Sequence, residues 1–185
     1  MSEAATEFKI VFTGPMGAGK TTAIAAISDE TPVSTDVTNT DRATFDKAFT
    51  TAGLDYGHIA LDDGHAVRLY GTPGQARFKF LWEILGLNAV GVIVLIDASQ
   101  PDGLAQLDVF VDAFGCGLRA PIVIGVGRTG NAGALPLDAF AQHLESRGLT
   151  LPLFGVDVRR RDDVLLLVET LLCLVEAAEP RRRIA

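Results

Sequence analysis

The chain has 185 residues, a formal net charge of −7, 48% hydrophobic content and 7% aromatics. That length and apolar share describe one domain over residues 1–185 with a buried core, and they exclude a disordered or low-complexity chain. The acidic balance, with a pI of about 4.9, argues against a surface made for nucleic acid or anionic membrane.

In chain order, residues 1–7 read as a loose polar lead-in. An apolar strand is expected over 8–13, followed by a glycine loop and a helix to about residue 28. Residues 29–53 are the least regular part, with a short helix over 43–49. A long polar connection there is more often functional than idle. Residues 54–62 and 66–70 read as two strands of an antiparallel hairpin, with Asp63-Gly64 as the turn signal. A second punctuated loop, Gly71-Thr72-Pro73-Gly74-Gln75, leads into a helix over 77–86. Residues 89–96 are almost wholly apolar, as in a central parallel strand covered on both faces. Helices over 104–114, 136–147 and 163–179 then alternate with strands over 121–126 and 151–156, and 180–185 is a loose tail. The expected fold is α/β: a mostly parallel six-stranded sheet with one antiparallel edge strand and helices on both faces.

The stretch that carries chemistry is Gly14-Pro15-Met16-Gly17-Ala18-Gly19-Lys20-Thr21, the complete G-x-x-x-x-G-K-[ST] spacing between a strand and a helix. It makes the chain a P-loop NTPase by motif. Phosphate oxygens need inward-facing backbone N–H groups, which Gly14, Gly17, Ala18 and Gly19 can present closely, and the helix start at Lys20, Thr21 and Thr22 adds unpaired donors and a positive dipole end. Lys20 is placed to meet the β- and γ-phosphates and the Thr21 hydroxyl to ligate Mg²⁺. His58, His65 and His143 have no metal-ligand spacing. Cys116 and Cys173 read as buried small hydrophobes of a reducing compartment. The sequence opens without a basic segment and apolar run, has Ser2 rather than glycine after Met1, ends without a prenylation cysteine and has no apolar stretch of transmembrane length. The expectation is a cytoplasmic protein with no integral membrane segment or lipid anchor.

Beyond the P-loop, Thr51-Ala52-Gly53-Leu54-Asp55-Tyr56 resembles the T-x-G-x-D-F segment that closes switch I in Ras-like small GTPases, and Gly71-Thr72-Pro73-Gly74-Gln75-Ala76-Arg77-Phe78 resembles the D-T-A-G-Q-E-R-F stretch that opens switch II. The likeness runs from Phe8 to Ala178, and the T-P-G-Q form is similar to that of bacterial MglA-type and conservon-type GTPases, which work with Roadblock/LC7-type partners. The resemblance implies a switch that binds GTP/GDP with Mg²⁺, with Thr51 closing on the metal and the γ-phosphate. It further implies that the Gly74 N–H contacts that phosphate and that Gln75, with Lys20, serves hydrolysis by orienting the attacking water.

Two positions depart from that pattern. Gly71 stands where most members have the aspartate that holds a Mg²⁺-bound water, as it does in MglA-type proteins too. Asp97 is a partial substitute on one reading and a structural residue on the simpler one. After the strand over 121–126, Gly127, Arg128 and Gly130 occupy the Asn, Lys and Asp places of the guanine-reading N-K-x-D motif. Arg128 can stack on a base, Asn131 or Asp157 can supply an acceptor, and Asp157-Val158-Arg159 takes the place of the S-A-K stretch, which leaves guanine against adenine open. Arg42 and Arg77 are arginine-finger candidates whose simpler reading is a solvated loop residue. The helix with Phe78, Phe80, Leu81, Trp82 and Leu85 is apolar on more than one side and reads as a partner surface. The expected activity is slow, partner-stimulated GTP hydrolysis. The alternatives are a nucleotide-bound interaction module without turnover, or an NTPase of relaxed base specificity that takes ATP.

Overall fold

The computed structural model describes residues 7–34, 54–61, 65–115 and 120–178. Strands β1 (Glu7–Thr13), β2 (Val33–Ser34), β3 (Asp55–Ala60), β4 (Ala66–Gly71), β5 (Gly91–Asp97), β6 (Ile122–Gly127) and β7 (Leu153–Val156) form one sheet in the order β2-β3-β4-β1-β5-β6-β7. Helices α1 (Lys20–Ile27), α2 (Lys79–Gly86), α3 (Gly103–Gly115), α4 (Leu137–Ser146) and α5 (Arg161–Ala178) flank it, and a 3₁₀ turn, Ala76–Phe78, leads into α2. The expected mixed sheet with helices on both faces is present. It has seven strands rather than six, because Val33–Ser34 pairs antiparallel with β3 at residues 56 and 55. A two-residue strand is too short to leave a periodicity in the sequence. The antiparallel strand β3 therefore lies one place in from the edge, paired with β2 on one side and β4 on the other.

Alternation along the strands divides the core. Ile10 and Phe12 of β1 and Ile93 and Leu95 of β5 pack under α1 and α5, with Ile24, Ile27, Leu167 and Leu171. Val11, Val92, Val94 and Ile96 face the other way, onto Trp82, Leu107, Phe110, Phe114 and Phe140 of α2, α3 and α4. Every residue of β5 is buried, as its unbroken apolar run requires in a parallel strand covered on both faces. One reading of the sequence fails here: Cys173 is exposed on α5, and its neighbours Leu167 and Leu171 fill the core instead.

This order positions the site. The chain leaves β1 for α1, while β4 lies on one side of β1 and β5 on the other. The reversal of strand order opens a crevice at the carboxyl ends of the strands, the usual ligand position in an open α/β sheet. The loops after β1, β4, β5, β6 and β7 all reach that end.

Candidate functional site

The glycine loop runs from the end of β1 to the first turn of α1. Gly19 caps the helix in a left-handed conformation, φ 93°, which a residue with a Cβ adopts only with strain. Its neighbour Lys20 is 8% exposed, and its ammonium donates to the carbonyls of Gly14 and Pro15, each at 2.8 Å. The lysine thus spans the loop's own mouth. Burial pushes its pKa down to about 8, against an opposing pull from the Asp55 charge. At neutral pH it remains an ammonium, held by oxygens that a more strongly accepting anion can replace.

Thr21 donates its hydroxyl to Oδ2 of Asp55 at 2.5 Å. Asp55 opens β3 and sits opposite Gly71 of β4 in the antiparallel register. A Cβ added to Gly71 would lie 3.0 Å from that same Oδ2. The Asp55 carboxylate thus fills the space beside Gly71 and accepts the Thr21 hydroxyl. Asp97, the substitute weighed from sequence, is committed elsewhere. It accepts the Ser99 N–H at 2.9 Å, the Ser99 hydroxyl at 2.6 Å and the Gln100 amide at 3.4 Å, and it pairs with Arg128. Burial raises its pKa, and those Ser99, Gln100 and Arg128 contacts outweigh burial and leave the group below the usual carboxylate range.

The second punctuated loop lies over the first. Thr72 is buried, its N–H donates to the Phe12 carbonyl at 2.9 Å, and its hydroxyl shares a 2.8 Å hydrogen bond with that of Thr13. Trp82 donates its indole N–H to the Pro73 carbonyl at 2.7 Å. Gly74 presses on the glycine loop so closely that a Cβ there would meet the backbone of Pro15 and Met16. Gln75 reaches the sulfur of Met16 at 3.8 Å. Arg77 stacks over its neighbour Phe78, 4.8 Å from the ring centroid, rather than reaching the glycine loop.

Two adjoining cavities occupy the crevice. One, of about 390 Å³, is lined by Gly17, Lys20, Thr21, Asp55, Gly74 and Gln75 among others. The other, of about 600 Å³, is lined by Ala18, Gly127, Gly130, Asn131, Asp157 and Val158 among others. Gly19, Thr22 and Arg128 line both. Arg128, left-handed at φ 58°, donates to the Gly17 carbonyl at 3.2 Å while it pairs with Asp97. Its head is thus held against the glycine loop instead of lying free to stack. Val158 packs against Gly19, where an added Cβ would come within 2.7 Å of Val158 Cγ2.

The crevice thus gathers Gly17, Ala18, Gly19, Lys20, Thr21, Thr22, Gly74, Gln75, Arg128, Asp157 and Val158 around one space, with Gly14 behind it as an acceptor for Lys20. Thr51 and Arg42 lie outside the described residues. In the sequence, Asp55 and Thr72 stand only within the resembling segments with no role of their own, and Thr13 has none. Trp82, read with its helix as partner surface, is instead 1% exposed and bonded to the Pro73 carbonyl. Asp55 meets Gly71 through the β3–β4 register, and the expected Asp63-Gly64 turn lies outside the described residues. Among the described residues no group of three or more His, Cys, Asp and Glu gathers. One hydroxyl and one carboxylate is still a donor set that suits Mg²⁺, which keeps water and substrate phosphates in most of its coordination positions.

No family model matches the chain. An uncharacterized protein of Methanocaldococcus jannaschii is 32% identical over 94 residues, covering 51% of this chain and 53% of that protein. The chain spans about half the length of that relative. Together with the sheet order and the glycine loop at its switch point, this supports a P-loop-like α/β architecture of the kind that binds nucleotides in general. No helix among the described residues is long and apolar enough to cross a membrane.

Proposed function

We propose that the chain binds a nucleoside triphosphate with Mg²⁺ in this crevice, hydrolyses GTP to GDP slowly, and works as a nucleotide-dependent switch. The observation that carries the reading is the Lys20–Gly14/Pro15 clasp beside the Thr21–Asp55 pair, under a loop whose Gly74 touches the glycine loop. Phosphate oxygens would take the place of the Gly14 and Pro15 carbonyls on Lys20, and the backbone N–H groups of Gly17, Ala18 and Gly19 would face them. Thr21 and Asp55 would hold the metal side, with Thr51 as the further ligand that the family resemblance implies. Mg²⁺, when bound, neutralises charge on the phosphates during transfer. Gly74 would give its N–H to the γ-phosphate, and Gln75 would orient water once it leaves Met16. Arg77 is turned onto Phe78, so the chain carries no evident finger of its own among the described residues, which fits slow turnover alone and stimulation by a partner. A Roadblock/LC7-type protein is the partner this reading tests first.

The test is nucleotide release from denatured purified protein, followed by phosphate release with GTP and ATP, with and without such a partner. The expected result is bound guanine nucleotide, slow phosphate release, and loss of both in Lys20→Ala. Hydrolysis left at the wild-type rate in both Lys20→Ala and Gln75→Ala would overturn the enzyme reading. Tight binding with no turnover under any condition would leave an interaction module, and equal use of ATP a less selective NTPase.

A further inference from the structure

In the wall of the larger cavity one carboxylate, Asp157, already holds a pair of adjacent N–H donors. Asp157 follows β7 and points its carboxylate at Arg159, which answers with its own backbone N–H at 3.1 Å, with Nε at 2.8 Å to Oδ1 and with Nη2 at 2.7 Å to Oδ2. The last two form a fork of parallel donors on the two oxygens of one carboxylate, the strongest geometry an acceptor of this kind makes. Asp157 is also fixed from behind, since its N–H donates to Oδ2 of Asp163 at 2.8 Å. Across the cavity, Gly130 brings no side chain, and a Cβ built on it meets nothing within 4 Å. Three carboxylates line this cavity, Asp97, Asp157 and Asp163. Asp97 is held by Ser99 and Arg128, and Asp163 accepts the Asp157 N–H and pairs with Arg160. Asp157 is the one of the three whose two oxygens take the fork of a single arginine side chain, and the β6 side at Gly130 is open.

We propose that Asp157 is the residue that makes this site select guanine, with Arg159 holding its carboxylate in the ligand-free protein in the way a guanine edge would. The inference rests on the nucleotide reading above. Guanine N1–H and its exocyclic amine present two parallel donors from a guanidine-like unit, the same pattern that the Arg159 fork presents. Adenine offers one donor beside an acceptor nitrogen, and that nitrogen faces a carboxylate oxygen with repulsion. Arg159 is easily displaced, because its side chain is 79% exposed and that of Asp157 36% exposed, so their pairing competes with water on both sides. The carboxylate itself stays ionised at neutral pH. The Arg159 side-chain hydrogen bond, followed by the Arg159 backbone N–H, lowers its pKa to about 2. The carboxylate absent at Gly130 is thus replaced from a neighbouring loop.

Fluorescent GDP and ADP, together with xanthosine diphosphate as competitor, titrated in Mg²⁺ against the full chain test this. The variants are Asp157→Ala, Asp157→Asn and Arg159→Ala, each checked for unchanged thermal unfolding. The wild type should prefer GDP to ADP by at least about tenfold, and Asp157→Ala should lose that preference by weakening GDP alone. Asp157→Asn should gain xanthosine diphosphate by at least about tenfold, since a carboxamide donates to the O2 that replaces the guanine amine. Arg159→Ala should keep the guanine preference. Equal weakening of GDP and ADP in Asp157→Ala, no gain of xanthosine diphosphate in Asp157→Asn, or a wild type that binds both bases alike would overturn the assignment while leaving the phosphate site intact. Failure of the wild type to bind any of the nucleotides would overturn the phosphate-site reading itself, and this one with it.

Discussion

Asp55 and Gly71 face each other across the β3–β4 ladder, and the Asp55 side chain occupies the room that a side chain on Gly71 would need, with its Cβ 2.9 Å from where one would stand. One space takes one carboxylate, and here it comes from β3. Gly71→Asp alone should therefore destabilise the fold by about 1–3 kcal/mol through overpacking, read by thermal unfolding. Asp55→Ala should fold and should weaken the Mg²⁺ dependence of nucleotide affinity. The exchange Asp55→Gly with Gly71→Asp should recover part of that dependence. Unchanged Mg²⁺ dependence in Asp55→Ala would mean that the Thr21–Asp55 contact serves only packing.

Lys20 gives a pH signature with a definite sign. Its folded pKa is near 8 against an ordinary 10.5, so between those values the unfolded chain holds more protons and ligand-free stability rises with pH. Nucleotide affinity should behave oppositely. Phosphate oxygens favour the ammonium and raise its pKa in the complex, so affinity is flat below about pH 8 and falls above it, toward roughly tenfold per pH unit. Denaturant unfolding and GDP titration across pH 7–10 read both trends, about the pKa near 8. In Lys20→Ala the stability slope should shrink to what Lys9 contributes, since burial lowers the pKa of that lysine too.

Trp82 ties the second loop to the core. It is 1% exposed, donates to the Pro73 carbonyl and packs on Phe110 with ring centroids 4.5 Å apart. Trp82→Phe removes the donor and keeps most of the apolar volume, so about 1–2 kcal/mol of stability should be lost. Trp82→Ala should cost about 3–5 kcal/mol. Urea denaturation separates them, and a Trp82→Phe variant as stable as wild type would show that the hydrogen bond contributes nothing net.

Gly74→Ala should leave the core intact and impair turnover. Its new methyl group would stand 2.6 Å from the Pro15 carbonyl carbon and 2.9 Å from Met16 Cα, backbone atoms that do not yield cheaply. The loop carrying Gln75 must lift. Phosphate release should fall at least about tenfold if Gln75 acts from its present side of the crevice, while the unfolding midpoint shifts little. Unimpaired release would remove Gln75 from the chemistry.

The fold was legible because its signals are local and strong. The apolar run of β5, the glycine loop between β1 and α1, and the alternation along β3 and β4, which pair antiparallel, each state one element. The two-residue β2 left no such signal, because it is an accident of pairing with β3 rather than a property of Val33 and Ser34. Among candidate site residues, Lys20 and Thr21 could be read from spacing. The partner of Thr21 could not be read in the same way, since Asp55 lies 34 positions away and enters only through strand register. Arg128 was visible as a cation in the right place. Its orientation depends on Asp97 and on a carbonyl in the glycine loop, contacts that belong to the assembled sheet end. Cys173 shows the limit of an apolar stripe as a guide, because α5 is long enough to place a small residue on its wet side.

Arg128 has one further consequence. Its single guanidinium spans the Gly17 carbonyl and the Asp97 carboxylate, and it borders both cavities. Whatever enters one cavity and shifts that head changes the shape offered by the other. The two ends of a ligand are then not independent: pyrophosphate and a bare nucleoside, each bound separately, should give free energies whose sum differs from that of the intact diphosphate by more than linker entropy explains. On this view the crevice is one cooperative receptor with a cationic hinge at its centre.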